Sequence, residues 1–91
     1  MKAWRAKIYG LVQNVGFRAS VKRKALEKEL VGTVRNLPDG GVEIVLIGEK
    51  ALLEDLLQAM QEGCWPWRID RVVFESLDSQ HPHHTFQIIR D

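Results

Sequence analysis

The nine residues GLVQNVGFR, from Gly10 to Arg18, place an arginine at the predicted start of a helix. The N-terminal end of a helix carries partial positive charge, so a cation in its first turn is disfavoured. A bound anion would remove this conflict, because the unpaired N–H groups and the guanidinium would both face it. The planar guanidinium suits two phosphoryl oxygens at once. The segment therefore predicts a phosphate-binding loop.

Three common phosphate-binding loops do not fit this spacing. A Walker A loop needs four residues between its glycines and then a lysine, whereas five residues separate Gly10 from Gly16 and Phe17 follows. A cysteine phosphatase loop ending at this arginine would need cysteine where Val12 stands. The dinucleotide fingerprint would need a first pair of glycines. One alternative stays open, in which Arg18 is a solvated surface residue and the glycines only turn the chain.

The elements that position this loop follow from hydrophobic periodicity. In order, they are a strand at 2–9, a helix from 17 to about 29 or 30, strands at 32–36 and 42–47, a helix at 50–61, and strands at 68–77 and 85–90. Four residues are predicted to form the apolar face of the first helix: Phe17, Val21, Ala25 and Leu26. Gly63 is predicted to close the second helix as a left-handed cap.

This order, βαββαβ with a C-terminal extra strand, predicts an α+β protein of the ferredoxin-like class. We expect a mainly antiparallel sheet with two helices on one face, in a single domain spanning residues 1–91. A right-handed crossover through the first helix makes strands one and two parallel, with strand three between them. The C-terminal ends of strands one and two then share one edge, which brings the loop at 10–18 and Asn36 to the same side.

Composition and charge restrict the partners of the protein. The 91 residues have a formal net charge of +1, which offers no global field for nucleic acid or an anionic membrane. The hydrophobic fraction of 45% and charged fraction of 27% are typical of a globular protein and argue against disorder. The single cysteine, Cys64, cannot form an internal disulfide, and the charged N-terminus does not resemble a signal peptide. We therefore expect a cytoplasmic monomer without nucleic-acid or membrane partners.

Two further segments contain residues that are able to bind ligands. The histidines of the segment His81 to His84 are possible metal ligands, but Pro82 and the polar surroundings favour a solvated loop. Trp65 and Trp67 could line a pocket for an acyl group, although packing in the core or in a turn is the more common role. We assign no metal site to either segment.

Two motifs carry a resemblance to a known family. They are Gly10-x-Val12-Gln13-x-Val15-x-Phe17-Arg18 and Gly32-x-Val34-Arg35-Asn36-x-x-x-Gly40, and together they resemble the motifs of the acylphosphatases. The length, the element order and the closing Phe86-Gln-Ile88 are also similar, so the resemblance covers essentially the whole chain. It implies hydrolysis of the carboxyl–phosphate bond of small acyl phosphates, giving a carboxylate and inorganic phosphate.

The resemblance also implies roles for individual residues. Arg18 would hold the phosphoryl group, and Asn36 would orient the water that attacks it in line. The backbone amides expected to assist are those of Gln13, Asn14, Val15, Gly16, Phe17 and Arg18. A carboxylate leaving group needs no general acid, and phosphoryl transfer needs mainly positioning and charge stabilisation. No metal or other cofactor is implied.

Asn14 departs from the family pattern, which has glycine at this position. If the backbone there needs a positive φ, asparagine replaces glycine at a cost of roughly 1 kcal/mol. We predict an active enzyme with altered phosphate affinity. The alternative is a non-catalytic module that binds phosphate or acyl phosphate, with turnover weakened by Asn14. A further alternative is a fragment similar to the N-terminal domain of a hydrogenase-maturation carbamoyltransferase.

Overall fold

Five strands and two helices make up the computed structural model, which describes residues 2–62, 65–78 and 85–90. The elements are β1 (Lys2–Leu11), α1 (Phe17–Glu27), β2 (Gly32–Asn36), β3 (Val42–Ile47), α2 (Lys50–Gln61), β4 (Arg68–Asp78) and β5 (Phe86–Ile89). The strands form one sheet in the order β4-β1-β3-β2-β5. The predicted element order and the ferredoxin-like α+β class are confirmed.

Strand pairing directs three strand ends to one edge of the sheet. Strand β3 runs antiparallel to both β1 and β2, so β1 and β2 are parallel with β3 between them, as predicted. Strand β4 runs antiparallel to β1, and β5 runs parallel to β2. The C-terminal ends of β1, β2 and β5 therefore point the same way, and the residues that follow these three strands meet at one edge.

A single apolar core lies between the sheet and the two helices, which pack against each other. Alternation along the strands turns every second side chain toward the helices. Full burial of a Val, Leu, Ile, Phe or Met side chain in such a core contributes about 1.5–3 kcal/mol. The helices supply to this core Phe17, Val21, Ala25, Leu53, Leu56, Leu57 and Met60, and the sheet supplies Ala6, Ile8, Val34, Val42, Ile44, Leu46 and Phe86. Among the described residues, no helix is long and apolar enough to cross a membrane.

Strand β1 is longer than predicted because a bulge carries it past Tyr9. Its register with β4 jumps from the pair Tyr9–Arg71 to the pair Gly10–Ile69. Gly10 has a φ of 142°, and a side chain there would collide with the backbone carbonyl of Arg68. Gly10 is therefore needed for the close approach of two strands. The phosphate loop that the sequence predicted to begin at Gly10 begins after Leu11.

Helix α1 ends at Glu27, two or three residues earlier than predicted. The Leu30 N–H donates to the Ala25 carbonyl at 2.9 Å, and the Glu29 N–H donates to the Leu26 carbonyl at 3.1 Å. These two bonds form a Schellman motif. Glu29 occupies its left-handed position with a φ of 57°. Sequence reasoning missed this end because glycine, not glutamate, normally marks it.

Two other local predictions concern the helix surfaces. Leu26 was predicted on the apolar face of α1, but this is wrong, since 45% of the residue is exposed. One residue turns the helix by about 100°, so Leu26 lies well around the axis from the buried Ala25. The predicted cap at Gly63 lies outside the described residues.

We expect Glu29→Gly to raise the free energy of unfolding by about 0.5–1 kcal/mol. Glycine removes the left-handed strain of roughly 1–2 kcal/mol, although greater freedom of the unfolded chain offsets part of the gain. Urea denaturation followed by circular dichroism measures the change. The matched control is Glu27→Gly, which removes the same charge inside the helix and should lower stability by about 0.5–1 kcal/mol. Equal effects of the two variants would contradict the prediction.

Candidate active site

The N-terminus of α1 has backbone donors that no described side chain satisfies. Gly16 is the N-cap residue, with φ 78° and ψ 13°, and no side chain in the described part of the chain caps the helix. No acidic residue lies in the first turn. An α-helix leaves its first four N–H groups without acceptors within the helix. The residues that carry them are Gly16, Phe17, Arg18 and Ala19, and all four line one cavity of about 180 Å³.

The loop residues predicted to surround the anion divide into two groups. Asn14, Gly16, Phe17 and Arg18 line the cavity of about 180 Å³, together with Val12, Ala19, Ile88 and Arg90. Gln13 and Val15 do not line it. Val15 is instead partly buried against the core. The structure thus brings four of the six predicted residues to this cavity.

A second, larger cavity joins Arg18 to Asn36. It has a volume of about 370 Å³ and is lined by Arg18, Asn36, Ile89 and Arg90. The Oδ1 atom of Asn36 is buried and has no hydrogen-bond partner among the described residues. A buried acceptor without a partner is unusual in proteins. Because this atom is buried, a water in the cavity reaches it only if the side-chain amide turns, which exchanges the places of Oδ1 and Nδ2.

The Gln13 side chain fastens the loop to the turn that follows β2. Its Nε2 atom donates to the carbonyl oxygens of Leu37 and Gly41, each at 2.8 Å. Leu37 directly follows Asn36, so these bonds couple the position of the loop to the position of Asn36. The sequence predicted only a backbone role for Gln13. Its side-chain role could not be predicted because it depends on a contact across 24 and 28 residues of sequence.

The same turn is held to the end of β1 through Asp39. The Gly41 N–H donates to one carboxylate oxygen of Asp39 at 3.1 Å, and the Tyr9 hydroxyl donates to the other at 2.9 Å. These two bonds lower the pKa of the Asp39 carboxyl, and the second also raises the pKa of Tyr9. The turn beside Asn36 is therefore anchored from two sides.

Asn14 adopts the backbone conformation for which glycine is favoured. Its φ is 63°, in the left-handed region that asparagine tolerates better than most residues. The residue is exposed and lines the cavity of about 180 Å³. Asn14 therefore has the positive φ on which its comparison with glycine depended.

Charge is distributed differently on the two faces of the sheet. On the face away from the helices, Glu43 is nearly buried and pairs with Arg35 at 2.9 Å and with Arg5 at 3.7 Å. On the helix-bearing face, no acidic residue among those described lines either of the two cavities. Within the described part of the chain, Arg18 and Arg90 have no ion pair. The described residues therefore leave the positive charge of both cavities uncompensated.

Sequence reasoning missed Arg90. It follows β5, and its position beside Asn36 depends on the parallel pairing of β5 with β2. The periodicity predicted β5 as a strand but gave no partner for it. The sequence does contain a signal for this position. Phe86, Ile88 and Arg90 are every second residue of the strand, so Arg90 lies on the same strand face as the two apolar residues.

The tryptophans pack behind the loop and do not line these two cavities. Trp67 is buried, donates its Nε1–H to the Met60 carbonyl at 2.8 Å, and meets Phe17 edge to face at 5.6 Å between ring centroids. Trp65 stacks on Trp67 at 5.0 Å. These contacts support the packing role and do not favour the acyl pocket. The histidines at 81–84 and Cys64 lie outside the described residues.

The fold and the two cavities define a ferredoxin-like α+β protein whose helix N-terminus, arginine and asparagine meet at one sheet edge. Residues 4–88 match the family model described as acylphosphatase. The chain therefore belongs to the acylphosphatase family, as its two motifs indicated.

Individual relatives agree with this assignment. The acylphosphatase of Frankia casuarinae is 44% identical over 72 residues, which cover 79% of this chain and 81% of the relative. The crystal structure of the acylphosphatase from Bacillus subtilis matches with a TM-score of 0.84 and 32% identity, over 99% of this chain and 100% of that chain. HypF from T. kodakarensis matches with a TM-score of 0.83 and 37% identity, over 100% of this chain but 12% of that chain. A similar domain thus also occurs as a small part of a much longer protein.

We expect Gln13→Ala to lower the free energy of unfolding by about 1–2 kcal/mol, because two side-chain hydrogen bonds are lost. The loop should also lose its fixed distance from Asn36. Urea denaturation measures the change in stability. The control is Gln58→Ala on the exposed surface of α2, which should change stability by less than about 0.5 kcal/mol. An unfolding curve for Gln13→Ala that matches the control would contradict the assigned role.

Proposed function

We propose that this protein hydrolyses small acyl phosphates to a carboxylate and inorganic phosphate. Arg18 and the amides at the start of α1 would hold the phosphoryl group, and Asn36 would orient the attacking water. The observation that carries this proposal is that Arg18 and Asn36 line the same cavity. The family assignment supports the same activity.

Binding would use donors that are already in place. The phosphoryl group of an acyl phosphate is a dianion, and the open N–H groups of α1 and the helix dipole favour negative charge. The Arg18 guanidinium adds two parallel donors for two phosphoryl oxygens. Because these groups are fixed before substrate arrives, little reorganisation accompanies the build-up of charge in the transition state. The carboxyl end of the substrate would point away from the loop.

Attack would need only an oriented water molecule. A water that donates one hydrogen to the Asn36 Oδ1 atom can direct a lone pair at phosphorus. A new bond then forms between phosphorus and the water oxygen, while the bond from phosphorus to the acyl oxygen breaks on the opposite side. The leaving carboxylate keeps the electron pair and needs no proton, and the proton of the water passes to the phosphate product or to solvent.

The proposal includes a single-domain monomer that acts in the cytoplasm. One core contacts all seven described elements, which supports a single domain. The single cysteine supports a reducing compartment. The alternative of a non-catalytic binding module is not favoured, because relatives that cover most of the chain carry the name acylphosphatase.

Replacement of Arg18 and of Asn36 should have different effects on benzoyl phosphate hydrolysis. We expect Arg18→Ala to lower kcat/KM by about 10²–10³-fold and to abolish inhibition by inorganic phosphate, since the main donor is lost. We expect Asn36→Ala to lower kcat by about 10²-fold. It should leave phosphate inhibition within about twofold, because only the water loses its partner.

Arg23→Ala is the control for both variants, because Arg23 lies exposed on α1 and lines neither cavity. Circular dichroism establishes that each variant folds. Native turnover by both Arg18→Ala and Asn36→Ala would refute the proposed mechanism.

Asn14→Gly should change the affinity for phosphate while the enzyme stays active. Glycine keeps the left-handed backbone and removes a side chain from the cavity, so we expect the Michaelis constant to fall about two- to fivefold. Steady-state kinetics with benzoyl phosphate measure this change. Asn14→Ala is the comparison, and it should lower stability by about 1 kcal/mol through backbone strain. A Michaelis constant for Asn14→Gly identical to that of the native protein would refute altered affinity.

A further inference from the structure

Arg90 lies at the same edge of the sheet as the proposed site. Strand β5 pairs in parallel with β2, and Ile89 stands opposite Arg35 in the register. The next residues along the two strands are Arg90 and Asn36. Both line the cavity of about 370 Å³ with Arg18, and Arg90 also lines the cavity of about 180 Å³. Arg18 and Arg90 are the two residues that the linings of both cavities share.

Alternation along β5 places Arg90 on the helix-bearing face. Phe86 is fully buried, and Ile88 packs against the core, so the next residue of this face is Arg90. Strand β5 also packs against α1, whose N-terminus opens toward the same cavities. The backbone position of Arg90 therefore follows from an edge strand that is anchored in the core through Phe86, although Arg90 itself is exposed.

Two guanidiniums balance the two negative charges of a dianion better than one guanidinium does. An acyl phosphoryl group carries two negative charges, and Arg18 supplies one positive charge. The N-terminus of α1 adds roughly half a charge. Arg90 brings a second full charge, and no acidic residue in ranges 2–62, 65–78 and 85–90 lines either cavity to neutralise it. Arg35, one residue before Asn36, is by contrast already paired with Glu43 on the other face.

We propose that Arg90 is a second phosphate-binding residue, whose guanidinium contacts the phosphoryl group on the side opposite Arg18. This inference rests on the proposed function of the site. The dianion would lie between two guanidiniums, with the helix amides on a third side. Arg90 would strengthen the binding of substrate and of the phosphate product alike, because both carry the same group.

Arg90 lines both the cavity of Asn36 and the cavity at the start of α1. It therefore lies beside the place proposed for the phosphoryl group, and a guanidinium there is able to contact phosphoryl oxygens. Contact with the acyl group is the competing role, and a comparison of two substrates separates the two roles.

The test is inhibition of benzoyl phosphate hydrolysis by inorganic phosphate in the full chain. We expect Arg90→Gln to raise the inhibition constant and the Michaelis constant together by about five- to tenfold, a modest effect because the residue is exposed to solvent. The value of kcat should stay within about twofold. Arg90→Lys should recover part of the loss, since it keeps the charge but not the planar fork.

Arg23→Gln is the matched control, because it removes the same charge from an exposed residue that lines neither cavity. It should leave both constants unchanged, which separates a local contact from a general effect of net charge. Thermal unfolding of Arg90→Gln is measured alongside. If that variant is unfolded, Arg90→Lys provides the test, because lysine keeps the charge but loses the planar fork and should still raise the inhibition constant.

Two results would overturn the inference. The first is an unchanged inhibition constant for folded Arg90→Gln, or for Arg90→Lys where Arg90→Gln does not fold. The second concerns two substrates, succinyl phosphate and butyryl phosphate. If Arg90→Gln lowers kcat/KM for succinyl phosphate alone and leaves the inhibition constant unchanged, Arg90 contacts the acyl group. Phosphate inhibition that survives in Arg18→Ala would refute the proposed function itself. Phosphate inhibition lost in Arg18→Ala but unchanged in Arg90→Gln would refute only this inference.

Discussion

The central constraint in this structure is the placement of β3 between two parallel strands. Because β3 pairs antiparallel with β1 and with β2, both strands end at the same edge, and β5 joins that edge through its parallel pairing with β2. The loop that carries Arg18, the side chain of Asn36 and the residue after β5 are then neighbours without any special local sequence. Fixed strands also limit the movement of groups that must be aligned within a fraction of an ångström for phosphoryl transfer.

Charged residues are arranged differently on the two faces of the sheet. On the outer face, arginines and glutamates compensate one another across strands, as in the pairing of Glu43 with Arg5 and Arg35. On the helix-bearing face, Arg18 stands beside a helix start that lacks acidic residues and a side-chain cap. Each of these omissions costs the folded protein some stability. The cost is understandable if a bound anion supplies the missing negative charge and the missing acceptors.

Periodicity and turn chemistry were sufficient to predict the elements, their order and the approach of Arg18 to Asn36. Features that depend on contacts between distant segments were not predictable in the same way. The strand bulge at Gly10 requires the backbone of β4, and the hydrogen bonds of Gln13 require the turn after β2. The early end of α1 uses Glu29 in a position typical of glycine, so the usual sequence signal was missing. Arg90 could be placed only once the partner of β5 was known.

The long ladder between β1 and β4 has a consequence for the order of folding. Its register joins Lys2 to Asp78, so this ladder closes only after nearly the whole chain is available. Bringing such distant segments together costs chain entropy before the stabilising contacts form. Topologies of this kind therefore fold more slowly than helical bundles. During synthesis, the edge of β1 that faces away from β3 therefore has no partner strand until β4 has been made. Chaperone protection during synthesis would matter most in that interval.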